Sequence, residues 1–282
     1  MERPIVFSGG RLVGVLTQAE AAGERPCVLI LNAGLIYRGG PGRLSVDLAR
    51  RARRTGFSSF RFDLSGIGDS EPRAESLTSI ENAVADAREA MDMLGKEFGF
   101  GRFVLFGLCS GAVHSHFIAW DDARVVGAIM LDGYVLDSPR SKLLRKVNKL
   151  RPFYQLPRRT LRWVLRKPMK APVSPALIEG DDGGVLPRWP ERDKVEAGLR
   201  VLKERGVALL QVFTGEWDTY CYEGQLADAI PSIDYGSLRT EVRIPAAEHL
   251  YLATAEREKL LGLVARWLDA EPWQAADRGD HR

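Results

Sequence analysis

The chain has little cysteine, little histidine and no long apolar run. Three cysteines, Cys27, Cys109 and Cys221, in 282 residues cannot make a disulfide framework and point to a reducing, cytoplasmic setting. No stretch reaches the ~18 consecutive apolar residues that cross a bilayer as a helix. The first residues, Met1-Glu2-Arg3-Pro4, lack the apolar core of a secretion signal, so none is expected. Of the four histidines, His114 and His116 are two apart on a predicted helix and point to different faces. No metal site and no cofactor are expected. Internal repeats and low-complexity tracts are also absent.

One further lack is local. Between Arg140 and Lys170 there is no aspartate or glutamate, while twelve arginines and lysines occur. The remaining sequence holds 28 basic and 37 acidic residues, a net of −9, which the overall balance of +3 conceals. This asymmetry is more informative than the total.

An apolar content of 45% and a charged content of 27% are those of an ordinary globular protein, and the length suits one large α/β domain with an insertion. Pro4 to Gly9 and Arg11 to Thr17 read as a hairpin. Apolar runs at 27–31, 57–62, 103–106, 125–131, 207–213 and 238–244 read as strands, those buried on both faces being continuous rather than alternating. Helices are expected at 44–54, 78–94, 110–120, 192–205, 222–230 and 251–268. Thr78 with Glu81 makes a capping-box signature. Strands alternating with helices predict an α/β fold: an eight-stranded, mostly parallel sheet covered on both faces. The rhythm stops after the sixth strand. The expected division is therefore a core of 1–134 and 191–270, a basic helical cap at 135–190, and a frayed tail at 271–282.

Gly107-Leu108-Cys109-Ser110-Gly111 follows an apolar strand and precedes a helix. This is the layout of the nucleophile elbow, with cysteine in the usual place of serine. The turn needs small residues two before and two after the nucleophile, and Gly107 and Gly111 fill both places. A shift of one would make Ser110 the nucleophile, and Leu108 would not fit. Downstream, His249 lies in the loop after the last strand and is the expected base that takes the thiol proton. Asp218, after the strand at 207–213, is the expected acid that fixes the imidazole tautomer; Glu216 and Asp132 are the alternatives. The oxyanion hole needs two backbone N–H groups. Ser110 supplies one. Gly34 or Leu35, in the turn after the strand at 27–31, supplies the other, and the residues do not choose between them. Tyr37, Arg38, Tyr134, Trp217 and Tyr220 are candidate substrate contacts.

With the order nucleophile, acid, histidine, and with Asp63-x-x-Gly66-x-Gly68-x-Ser70 after the fourth strand, the chain resembles the α/β-hydrolase superfamily from about Pro4 to Leu268. More narrowly, it is similar to the exosortase-A-system-associated hydrolases. The shared features are Tyr37-Arg38-x-Gly40-Pro41-x-Arg43, Arg61-Phe62-Asp63 with Gly66-x-Gly68-Asp69-Ser70-Glu71, and Gly107-Leu108-Cys109. Ser110-Gly111 departs from those relatives, which often carry aspartate and a small residue there. The resemblance implies a triad of Cys109, Asp218 and His249, and leaves the substrate open.

A cysteine nucleophile passes through a thioester, so three functions follow. One is cleavage of an ester or thioester. The second is acyl transfer from a coenzyme A or carrier-protein thioester to an amine or hydroxyl. The third is a non-catalytic binding protein that retains the pocket. The basic cap is read as a solvated helical face with Leu143, Leu144, Val147 and Leu150 packed inward. It is also read as a landing site for an acidic acyl carrier protein or a CoA thioester, or for an anionic membrane surface. Nucleic acid is not expected, because the rest of the chain is acidic.

Overall fold

The computed structural model describes residues 1–20, 25–155, 189–217 and 219–273. Eight strands form one sheet in the order β1-β2-β4-β3-β5-β6-β7-β8. They are β1 (Glu2–Phe7), β2 (Leu12–Thr17), β3 (Cys27–Ile30), β4 (Ser59–Phe62), β5 (Phe103–Leu108), β6 (Val125–Leu131), β7 (Ala208–Thr214) and β8 (Arg239–Ile244). β2 runs antiparallel to β1 and β4, and every other pairing is parallel. The predicted fold class is therefore the observed one.

Side-chain alternation gives the sheet two apolar faces. Leu29, Leu105 and Leu209 point to one face, where α2 (Ser79–Phe98), α3 (Ser110–Asp121) and α5 (Arg192–Glu204) lay down Met91, Leu94, Ile118, Leu199 and Leu202. Val28, Ile30, Val104, Phe106 and Leu210 point to the other face. It is covered by Leu44, Leu48 and Ala52 of α1 (Leu44–Arg54) and by Leu261, Val264 and Leu268 of α7 (Thr254–Asp269). Strands between two covered faces cannot alternate in polarity, which is why the central ones read as unbroken apolar runs. Thr78 caps α2 through the expected capping box with Glu81, and Gly99 ends the helix in the left-handed region.

β3, β5, β6, β7 and β8 are parallel, so the loops that follow them gather at one end of the sheet. That end carries Cys109, Asp132 and His249. After β6, Ser138 and Ser141 are fully buried, and the Ser141 N–H donates to Ser138 Oγ at 3.0 Å to open α4 (Pro139–Gln155). The remainder of the expected cap, 156–188, lies outside the described residues, as does the tail from 274. Leu143 and Val147 do not pack inward as expected, since both are exposed. A short α6 (Gln225–Ala229) follows β7. Among the described residues no helix is long and apolar enough to cross a membrane.

Candidate active site

At the tip of β5 the chain reverses into α3 through Cys109, whose φ of 57° and ψ of −115° lie where a side chain costs about 1–3 kcal/mol. The strain is held in place on both sides. Cys109 N–H donates to Leu131 O at 2.9 Å, and its carbonyl accepts from Ala112 N at 3.1 Å. A Cβ on Gly107 would stand 2.0 Å from the Gly111 carbonyl oxygen, and one on Gly111 would stand 2.5 Å from the Asn32 oxygen. Both glycines are thus steric necessities of the turn, as the spacing predicts. The result is a half-buried thiol at the end of the sheet.

His249 reaches the thiol from the loop after β8. Its Nδ1 is 2.8 Å from Asp132 Oδ2, and Cys109 is the other side chain that acts on the ring. Burial opposes charge on the ring, but the bonds to Asp132 and Cys109 outweigh it and push the pKa up from 6.5 to about 10. Trp217 lies flat on the imidazole, with ring centroids 5.2 Å apart and planes 14° from parallel. Trp189 meets Trp217 edge-on at 5.8 Å. The His249 N–H donates to Glu216 at 2.9 Å, while Glu248 gathers the N–H groups of Leu250, Leu252 and Ala253 at the mouth of α7.

The carboxylate on Nδ1 is Asp132, one of the two alternatives that the sequence offered to Asp218. Asp218 lies outside the described residues. Asp132 is fully buried, with φ 43°, and also accepts from Thr214 N at 2.8 Å and Thr214 Oγ1 at 2.7 Å. Two donors from β7 thus aim a carboxylate that sits on the end of β6. Glu216, the other alternative, serves the histidine's backbone rather than its ring.

On the opposite side of the elbow, the Gly34 N–H donates to Ser110 Oγ at 2.7 Å. Gly34 is thereby occupied, leaving Leu35, which is exposed, as the turn residue whose N–H is not spent on another described residue. A network absent from the sequence reading sets this turn. Asn32 accepts from Leu64 N at 2.8 Å and donates to Ile36 O at 2.9 Å and to Asp63 at 3.2 Å. Fully buried Asp63 also accepts from the backbone N–H of Arg38 at 2.5 Å and ion-pairs with its guanidinium. A Cβ on Gly68 (φ 56°) would stand 2.4 Å from Asp63, which explains the second glycine of the 63–70 motif.

The expected substrate contacts separate. Trp217 is beside His249, and Tyr37 is exposed. Arg38 is held by Asp63 and by Asp69 at 2.7 Å, so its charge is already matched. Tyr134 is buried with its hydroxyl 3.1 Å from His116 Nδ1, and Tyr220 is buried and stacked on Phe213 at 3.9 Å. These two pack the core. His114 and His116 are buried as well, and burial pushes both down to about 4. Groups of three or more histidine, cysteine, aspartate or glutamate side chains able to hold a metal ion are absent among the described residues.

No curated protein matches the chain. Solved structures share its fold. Dienelactone hydrolase from Anabaena variabilis superposes with a TM-score of 0.59 at 16% identity, over 95% of this chain and 96% of that one. Proline iminopeptidase from Mycobacterium smegmatis gives 0.59 at 16%, over 98% and 100%. An esterase domain from Rhodothermus marinus gives 0.56 at 14%, over 96% and 98%. At these identities the likeness is one of fold. The sequence profile of the alpha/beta hydrolase family matches residues 31–280, and the chain belongs to that family.

Proposed function

We propose that the protein is a cysteine-dependent hydrolase that cleaves an ester or thioester through a Cys109 acyl-enzyme, with His249 as base and Asp132 as its orienting acid. One observation carries the reading: a strained elbow cysteine that acts on a histidine whose Nδ1 meets a buried carboxylate. A structural cysteine would need neither partner nor strain.

In the proposed cycle the Cys109 sulfur attacks the acyl carbon and a C–S bond forms. The carbonyl electron pair moves onto oxygen, which the N–H groups of Ser110 and Leu35 receive at the N-terminus of α3. The tetrahedral species collapses, the bond to the leaving oxygen or sulfur breaks, and His249 Nε2 gives that atom its proton. Acylation removes the thiolate that helps hold His249 protonated, so the imidazole becomes a base for the second half. It takes a proton from water as the water oxygen attacks the thioester. The acid departs and Cys109 regains its starting form. Asp132 keeps Nδ1 protonated throughout, which leaves Nε2 facing the reaction.

The same intermediate has a second outcome: an amine or hydroxyl acceptor that attacks the Cys109 thioester in place of water yields acyl transfer. Stopped-flow measurement with a p-nitrophenyl ester tests the shared core. A burst equal to the enzyme concentration is expected, followed by a slower steady state that hydroxylamine accelerates. A Cys109→Ala protein that still gives the burst contradicts the assignment.

A further inference from the structure

The reactive end of the sheet is also where apolar side chains stand in water. Leu35 and Tyr37 follow β3, Leu143 and Val147 lie on α4 after β6, and Leu252 follows β8; all are more than half exposed. Single exposed aliphatics are ordinary; these five stand on the segments that leave the same end of the sheet after β3, β6 and β8.

α4 gives that surface its charge. Leu143 and Val147 are one turn apart, as are Lys142 and Lys146 beside them, and all four are exposed. Neither lysine ion-pairs with a carboxylate among the described residues. Two neighbouring arginines are already committed. Arg145 pairs with Asp137, and Arg140 lies 4.2 Å over the ring of Tyr222. With the buried Ser138–Ser141 cap, these contacts fasten the first turn of α4 to the core. The lysine and aliphatic stripes are therefore presented by the fold rather than by a loose segment. The helix opens a stretch of 31 residues, Arg140 to Lys170, with no acidic residue. An apolar stripe bordered by lysines is the pattern that settles at a lipid interface, the aliphatics entering the headgroup boundary and the cations meeting anionic lipid.

We propose that this end of the protein docks on an anionic lipid surface through α4, with Leu35, Tyr37 and Leu252 around the mouth of the site facing the bilayer. If the acyl chemistry proposed above holds, its substrate class is an ester or thioester with an apolar acyl chain, taken from the membrane. An acidic protein partner fits the lysines. It does not need the exposed aliphatics that border them on α4.

Co-sedimentation of the full chain with vesicles tests the docking, using phosphatidylglycerol–phosphatidylcholine against phosphatidylcholine alone. The Cys109→Ala protein is the reference, so that failure of the acyl chemistry and failure of the docking are read separately. Binding to the anionic vesicles is expected, weakened by salt and reduced about tenfold or more by Lys142→Glu with Lys146→Glu. Leu143→Ser with Val147→Ser should weaken it as well, with an unchanged circular-dichroism spectrum. Three results overturn the proposal: no preference for anionic vesicles, binding that neither pair of substitutions alters, or binding to an acidic carrier protein with none to vesicles. A loss of folded structure in the serine pair would show that the two aliphatics are packed rather than presented, and would also overturn it.

Discussion

Asp132 Oδ2 and His249 Nδ1 are 2.8 Å apart, though the two residues are separated by 117 positions in the chain. The bond joins the end of β6 to the loop after β8, across the intervening β7. Replacing the carboxylate with an amide removes the acceptor that fixes the imidazole tautomer while keeping the shape. Asp132→Asn is expected to lower kcat by roughly a thousandfold with a small change in KM. Asp218→Asn is expected to lower it far less. Steady-state kinetics on the two variants decide between the carboxylates, and the reverse ranking contradicts the geometry.

The elbow makes a steric prediction. Gly107→Ala places a carbon 2.0 Å from the Gly111 oxygen, both of them backbone positions that cannot yield without moving α3. The variant should lose at least about 3 kcal/mol or fail to fold. Gly101→Ala, where a Cβ meets nothing within 4 Å, is the matched control and should unfold close to the native protein in urea.

Stability should fall on the acid side of neutrality. Burial holds His114 and His116 at about 4, against ~6.5 in an unfolded chain. Between those values the unfolded chain binds protons that the native one refuses. Stability is therefore lost as pH drops through that window, by up to about 3 kcal/mol per histidine, and levels off below it. His249 acts in the opposite sense, because its folded value is raised to about 10. Its contribution is complete below pH ~6.5 and disappears as pH rises through 10. Thermal unfolding from pH 7.5 to 4.5 should show a shallower acid decline in His114→Gln than in the parent.

Trp217 lies on the imidazole face, where a ring favours the cation. Trp217→Leu should move the alkaline limb of the kcat/KM profile to lower pH, and Trp217→Phe should restore much of it. A profile with an unmoved alkaline limb in the leucine variant would leave the indole a packing role only.

The elbow was readable from sequence because its chemistry is local. Two glycines around Cys109, a strand before and a helix after sit within a dozen residues, and one turn geometry requires all of them. The sheet was readable because burial on two faces leaves the unbroken apolar runs of β3, β5, β6 and β7. The contact between Asp132 and His249 was not. β6 and β7 are neighbours in the sheet, each ends in a loop with an aspartate, and nothing in the spacing to Cys109 favours one of them. Asp132 is aimed by Thr214, whose N–H and hydroxyl both donate to it. Such a contact exists only once the strands are in register. The same holds for the pairing of Arg38 with Asp63, 25 positions on, which the spacing does not show. Leu143 and Val147 misled for a different reason: helical spacing shows that two residues share a face, not which way the face turns.

The most direct test is intact-mass spectrometry of the protein mixed with an acyl thioester and quenched in acid within the burst. The account predicts one added acyl group, located on the peptide that carries Cys109, absent in Cys109→Ala and slow to form in Asp132→Asn. An acyl group found on Ser110, or turnover in Cys109→Ala at the parent rate, would contradict it.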